Sequence, residues 1–132
     1  MKTAFLTLIA ILALATIGMA QKTETLTLKR GQQKRAANGE IILKFVSVLE
    51  DSRCPTDVNC VWAGNAKIEV IISDKNGGSK KSVMNTTTGG PLGDQHNGWA
   101  IYLTSLTPLP KSNKTTKPKS YVATFNITRL FR

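Results

Sequence analysis

Two cysteines, Cys54 and Cys60, are the residues whose type and spacing most constrain the chemistry open to this chain. Five residues separate them, so the C-x-x-C spacing of a redox pair is missing. A zinc site needs four ligands, and the single His96 cannot complete the set. In an exported chain their simplest use is a structural disulfide. A seven-residue ring of that kind contributes about 2.4 kcal/mol by the loop-entropy relation. His96, with Asp94 close by in sequence, is the residue on which a hydrolase would have to rest. Acid–base chemistry needs an activated nucleophile or a metal beside it, and Ser52, Ser105 and Ser112 lack a nucleophile-elbow context. The expectation is a protein that is not an enzyme. Asp57-Val58-Asn59 sets oxygen ligands two apart, as calcium loops do, but without the turn glycine and distal glutamate that complete them. Neither a metal nor another cofactor is expected.

The cysteines lie in the most information-dense run of the chain, Asp51 to Gly64. Arg53, beside Glu50, Asp51 and Asp57, is placed for a bidentate carboxylate pair. Pro55 fixes one backbone angle and Gly64 allows a turn that a side chain would forbid. On a packing reading Trp62 lies over the disulfide or fills the end of the fold. On a recognition reading Arg53 and Trp62 stand at the surface as a pair, since arginine and tryptophan dominate binding hot spots.

Within this run Ser52, Arg53, Cys54, Pro55, Val58, Cys60, Val61, Trp62, Ala63 and Gly64 resemble a motif of a family of small exported, mostly uncharacterised bacterial proteins. A looser likeness extends over the apolar stretch before the run, the alternating stretch after it, the segment ending at Pro108 and Pro110, and the last stretch from Tyr121. The resemblance implies an exported, single-domain, disulfide-bearing β protein, and it brings no activity or site residues.

The elements that must position this run are strands. Leu26 and Leu28 alternate with threonine in 25–29, and Ala66, Ile68, Val70 and Ile72 alternate with polar residues in 66–73. Tyr121, Ala123, Phe125 and Ile127 form the strongest alternation. The stretch 40–50 carries Ile41, Leu43 and Phe45 on one face and Ile42, Val46 and Val48 on the other, which predicts a central strand buried on both sides. Segment 79–87 reads as the partner in a hairpin, and Trp99, Ile101 and Leu103 mark a further strand ended by Pro108 and Pro110. Residues 88–98, rich in glycine, and 111–120, polar and basic, read as long loops. Six or seven short strands without helices predict an all-β fold of two packed antiparallel sheets, an immunoglobulin-like sandwich first and a closed barrel second.

Residues 1–20 read as a cleaved signal peptide: Lys2, an uncharged run from Ala4 to Ile17, then Gly18, Met19 and Ala20 before Gln21. The run is short for a membrane anchor, so no transmembrane segment is expected after cleavage. The remaining 112 residues, 21–132, suit one domain in a secreted or periplasmic setting. Without Lys2 they hold 17 basic and 8 acidic residues, a net charge of +9. Such a charge favours anionic glycans, envelope polymers or acidic proteins. Lys111, Lys114, Lys117 and Lys119 are the candidate polyanion contacts. Specific nucleic-acid binding would need aromatic platforms among the basic residues, and none is recognisable. Asn85, Asn113 and Asn126 each open an Asn-x-Thr sequon. The functional expectation is a binding module acting through its loops; the alternatives are a structural envelope or matrix component with nonspecific polyanion affinity, and a loop-mediated protease inhibitor.

Overall fold

The alternating stretches become eight antiparallel strands in the computed structural model, which describes residues 21–87 and 90–130. They are β1 (Thr23–Lys29), β2 (Gln33–Ala36), β3 (Ile41–Asp51), β4 (Ala66–Asp74), β5 (Ser79–Asn85), β6 (Gly93–His96), β7 (Trp99–Thr107) and β8 (Val122–Arg129). One sheet has the order β1-β8-β7-β6 and the other β2-β3-β4-β5. This is the expected two-sheet sandwich, not closed into a barrel. It shares the layer architecture of immunoglobulin-type domains, while its connectivity is a plain meander in place of their Greek key. The expected signal segment lies outside the described residues.

The core forms between the sheets from every second residue of the central strands. Ile41, Leu43 and Phe45 of β3 and Ile68, Val70 and Ile72 of β4 meet Ile101 of β7 and Ala123, Phe125 and Ile127 of β8 with no exposed surface. The two-sided burial expected of β3 does not occur. A register shift between Phe45 and Ser47 changes which residues face inward, so Val48 packs against the core while Ile42 and Val46 stay half-buried outside. A matching shift between Leu103 and Ser105 returns Leu106 to the core. Bulges insert one residue and so break strict alternation.

Residues 93–96 are not loop, as their glycine-rich surroundings suggested, but the edge strand β6, paired with β7 from Gly93↔Tyr102 to His96↔Trp99. Short β2, paired with β3, is the other strand that the pattern does not reveal. The edges β1/β2 and β5/β6 face each other across the sandwich without a backbone ladder, and side chains bridge the gap. Lys34 Nζ donates to the Thr27 carbonyl at 2.9 Å, and Glu24 accepts the Ala37 N–H at 2.8 Å. At the other seam Asp94 accepts from Lys80 Nζ at 2.9 Å and Ser82 Oγ at 2.8 Å. There His96 Nε2 pairs with Asp74 at 3.1 Å, so its carboxylate partner is Asp74 and not the nearby Asp94.

A meander reverses at every strand, so alternate connections share an end. Segments 37–40, 75–78 and 97–98 are tight turns at one end. There Glu40 accepts the Trp99 indole N–H at 3.0 Å, and the Arg129 guanidinium stacks 5.3 Å from the Trp99 ring centre. Segments 30–32, 52–65, 86–87 with 90–92, and 108–121 lie at the opposite end, and the last three are the long connections.

Candidate functional site

The long loops converge on Arg53, which sits two residues beyond the last residue of β3, Asp51. The guanidinium is buried, with the residue only 9% exposed. Its Nε and Nη2 donate to the two Asp51 carboxylate oxygens at 2.8 Å each, the fork geometry that arginine alone offers. Nη2 also donates to the Pro108 carbonyl at 2.8 Å, and Nη1 donates to the Leu106 carbonyl. Asp51 further accepts the Tyr121 hydroxyl at 2.8 Å. One buried ion pair thus ties the ends of β3 and β7 to the start of β8. Of the three candidate partners the bidentate one is Asp51; Glu50 pairs with Lys67 at 3.4 Å on the surface, and Asp57 turns to Ser112.

Burial alone would raise the Asp51 carboxyl, but the hydrogen bonds from Arg53 and Tyr121 and the Arg53 charge hold it below its usual range. The same environment, burial first and then the Asp51 carboxylate, raises the Tyr121 phenol.

Above this base the loop closes on itself. Cys54 and Cys60 form the expected disulfide, with Cα atoms 5.8 Å apart. The Ser52 N–H donates to the Asn65 carbonyl at 2.7 Å and the Cys54 N–H to the Ala63 carbonyl at 3.2 Å. Gly64 makes the return possible at φ +69°, and a Cβ there would lie 1.9 Å from the Ser52 carbonyl oxygen. Trp62 does not cover the disulfide or fill the end of the sandwich. Arg53, Asp51 and Tyr121 already occupy that base, and residues 61–62 lie between the disulfide and the return of Ala63 along Cys54. Val61 is 92% exposed and Trp62 82%. The recognition reading is also only half met: Trp62 stands at the surface, whereas Arg53 does not.

Neighbouring loops brace this one. Asn65 Oδ1 accepts from the backbone N–H groups of Thr86 and Thr87, each at 3.2 Å, while its Nδ2 donates to Asn85 Oδ1 at 2.7 Å. Asn85 in turn donates to the Pro91 carbonyl at 3.0 Å. The sequence signals Asn65 only through its position just after Gly64, where the chain re-enters a sheet. On the other flank the Thr56 N–H donates to the Pro110 carbonyl at 3.0 Å. Asp57 accepts the Ser112 N–H at 3.0 Å and the Ser112 hydroxyl, and these bonds hold its carboxyl low. Asp57 is therefore a tie between loops. Lys111, Lys114, Lys117 and Lys119 are all exposed on 108–121.

Of the sequons, Asn85 is buried with its amide fully engaged, Asn126 lies within β8, and Asn113 is exposed. The Ser52 hydroxyl donates to Asn65 and that of Ser112 to Asp57, so among the described residues neither serine is hydrogen-bonded to His96. Comparison with family models, curated proteins and solved structures finds no match to this chain.

Proposed function

We propose that this chain is an exported, non-enzymatic binding module that engages its partner through loop 52–65, with Trp62 as the anchor. The observation that carries the reading is an indole 82% exposed on a loop that a disulfide and a buried arginine hold in one shape. Tryptophan is enriched among residues that dominate interfaces, each worth about 2 kcal/mol or more. A loop already ordered before binding also avoids most of the entropy cost of ordering it afterwards. Export is supported by the signal-like residues 1–20 and by the disulfide, which persists in oxidising compartments. No helix among the described residues is long and apolar enough to cross a membrane.

The test is capture from the envelope and secreted fractions with the mature chain as bait and Trp62→Ala as control. A protein retained in high salt by wild type and lost with Trp62→Ala, at equal stability of the two baits, is the expected result. Equal recovery by both baits overturns it. Recovery that moderate salt abolishes for both would instead favour the envelope-component reading, since screening acts on exposed charge. A second reading, protease inhibition, is favoured by the same braced loop with Val61 and Trp62 both exposed. It predicts one-to-one inhibition of a secreted protease, with Trp62→Ala raising the inhibition constant.

A further inference from the structure

We propose that loop 108–121 carries a separate anion site, formed by Lys111, Lys114 and Lys117, that takes a phosphate or sulfate ester. The three lysines line an open cleft of about 350 Å³ walled by Pro108 and Leu109. No carboxylate lines it. Among the described residues Lys67, Lys75, Lys80 and Lys81 reach Glu50, Glu40, Asp94 and Glu69, while Lys22, Lys29, Lys34, Lys44 and Lys119 form no ion pair. The cleft lysines form no ion pair among the described residues. Asp57, which reaches into this loop, has both carboxylate oxygens on Ser112, and the Lys111 charge also acts on it without a direct ion pair.

The backbone supplies an independent observation. Lys111 and Lys114 form an antiparallel bridge, closed by the Lys114 N–H donating to the Lys111 carbonyl at 3.3 Å. Residues directly opposite in such a bridge project to the same side, with Cβ atoms about 4.5–5.5 Å apart, and like charges so placed repel. Folding gains nothing from that repulsion, and a bound anion removes it. The turn that creates it is also held in place, because Thr56 and Asp57 tie Pro110 and Ser112 to the stapled loop.

The chemistry of the cleft selects the ligand class. Ammonium groups act as compact point charges that each meet one anion oxygen, so three of them suit an anion that presents three oxygens. Phosphate and sulfate monoesters present three, and a carboxylate presents two. The Pro108 and Leu109 wall offers an apolar surface to whatever carries the ester, a sugar ring or the glycerol end of a lipid headgroup. The site does not depend on Trp62.

Titration calorimetry of the mature chain tests the assignment with three probes: a sulfated disaccharide, a carboxylate-only disaccharide of equal charge, and vesicles containing an anionic phospholipid. The expected result is that the sulfated disaccharide or the vesicles bind. Lys111→Gln, Lys114→Gln and Lys117→Gln should each weaken binding about fivefold, the scale of one charge-assisted contact. Lys119→Gln removes the same charge from the same loop outside the cleft and should change affinity by less than about twofold. Binding of the disaccharide assigns the ester to a glycan, and binding of vesicles alone assigns it to a lipid. Trp62→Ala should leave either result unchanged, which separates this site from the one at Trp62. Equal losses in all four lysine variants, equal binding of the carboxylate probe, or no binding to any probe overturns the proposal. Urea melts of each variant exclude loss of fold, and Lys114→Gln should not lower the midpoint, because it relieves the bridge repulsion.

Discussion

At the scale of single residues the chemistry of packing and the display of side chains are divided between neighbours in one short run. Arg53→Ala should cost about 3–5 kcal/mol in urea melts, the penalty for leaving one member of a buried pair alone. Trp62→Ala should stay within about 0.5 kcal/mol, as surface changes do. Equal losses in the two variants would mean that the indole packs after all. The pair also sets a pH window. Asp51 titrates below its ordinary 3.8 in the fold, so its contribution is complete above that value and is lost as pH falls through the depressed one. Tyr121 is shifted upward from 10.0, so its contribution is complete below that pH and is lost as pH rises through the raised value. The gap in stability between wild type and Arg53→Ala should therefore be flat through neutrality and shrink as pH falls through the depressed Asp51 value, but not at high pH, where the Arg53 charge favours the ionised Tyr121 phenol; melts across pH 2–11 would reveal this. That Arg53 has a carboxylate partner was legible from its neighbours. Its partners on β7 and β8 were not, because nothing in sequence says that residues 106, 108 and 121 meet residue 53.

Elements with one buried face were legible from their alternation, and those without it were not. β4 and β8 bury every second residue, and their patterns show it. β2 reads Gln-Lys-Arg-Ala and β6 reads Gly-Asp-Gln-His, so neither offers an apolar period. Both are edge strands, where polar side chains guard against pairing with another chain. The loops follow a different logic, since their shape comes from a few positions with no freedom. Gly64→Ala should destabilise by about 1–3 kcal/mol from the left-handed backbone alone, and the close approach to the Ser52 carbonyl adds to that. A stability equal to wild type would mean that the loop can open without cost. Replacing both cysteines by serine should remove about 2.4 kcal/mol, the ring-closure entropy. It should leave the sheets intact, because Arg53 and Asn65 hold the loop base by other bonds.

For the whole molecule, the meander separates a plain end from an elaborated one. The two-sheet architecture was legible from strand count and spacing. The gathering of the long loops at one end follows from strand order, which alternation does not encode. The open seams depend on side chains, so Asp94→Asn, which weakens the bond to Lys80 and to Ser82, should lower stability by about 0.5–1.5 kcal/mol, the net range for a hydrogen bond at a pair that solvent partly screens. No change in the urea midpoint would show that the β5/β6 seam is held by packing alone. The pairing of the first and last strands, Thr23↔Thr128 onward, has a mechanical consequence. β1 begins and β8 ends at the same plain end, so a pull between these two points peels β1 from β8 one rung at a time instead of shearing the whole ladder. Tension would open the sandwich like a zipper from the plain end inward, and the arginine-pinned end would feel the load last.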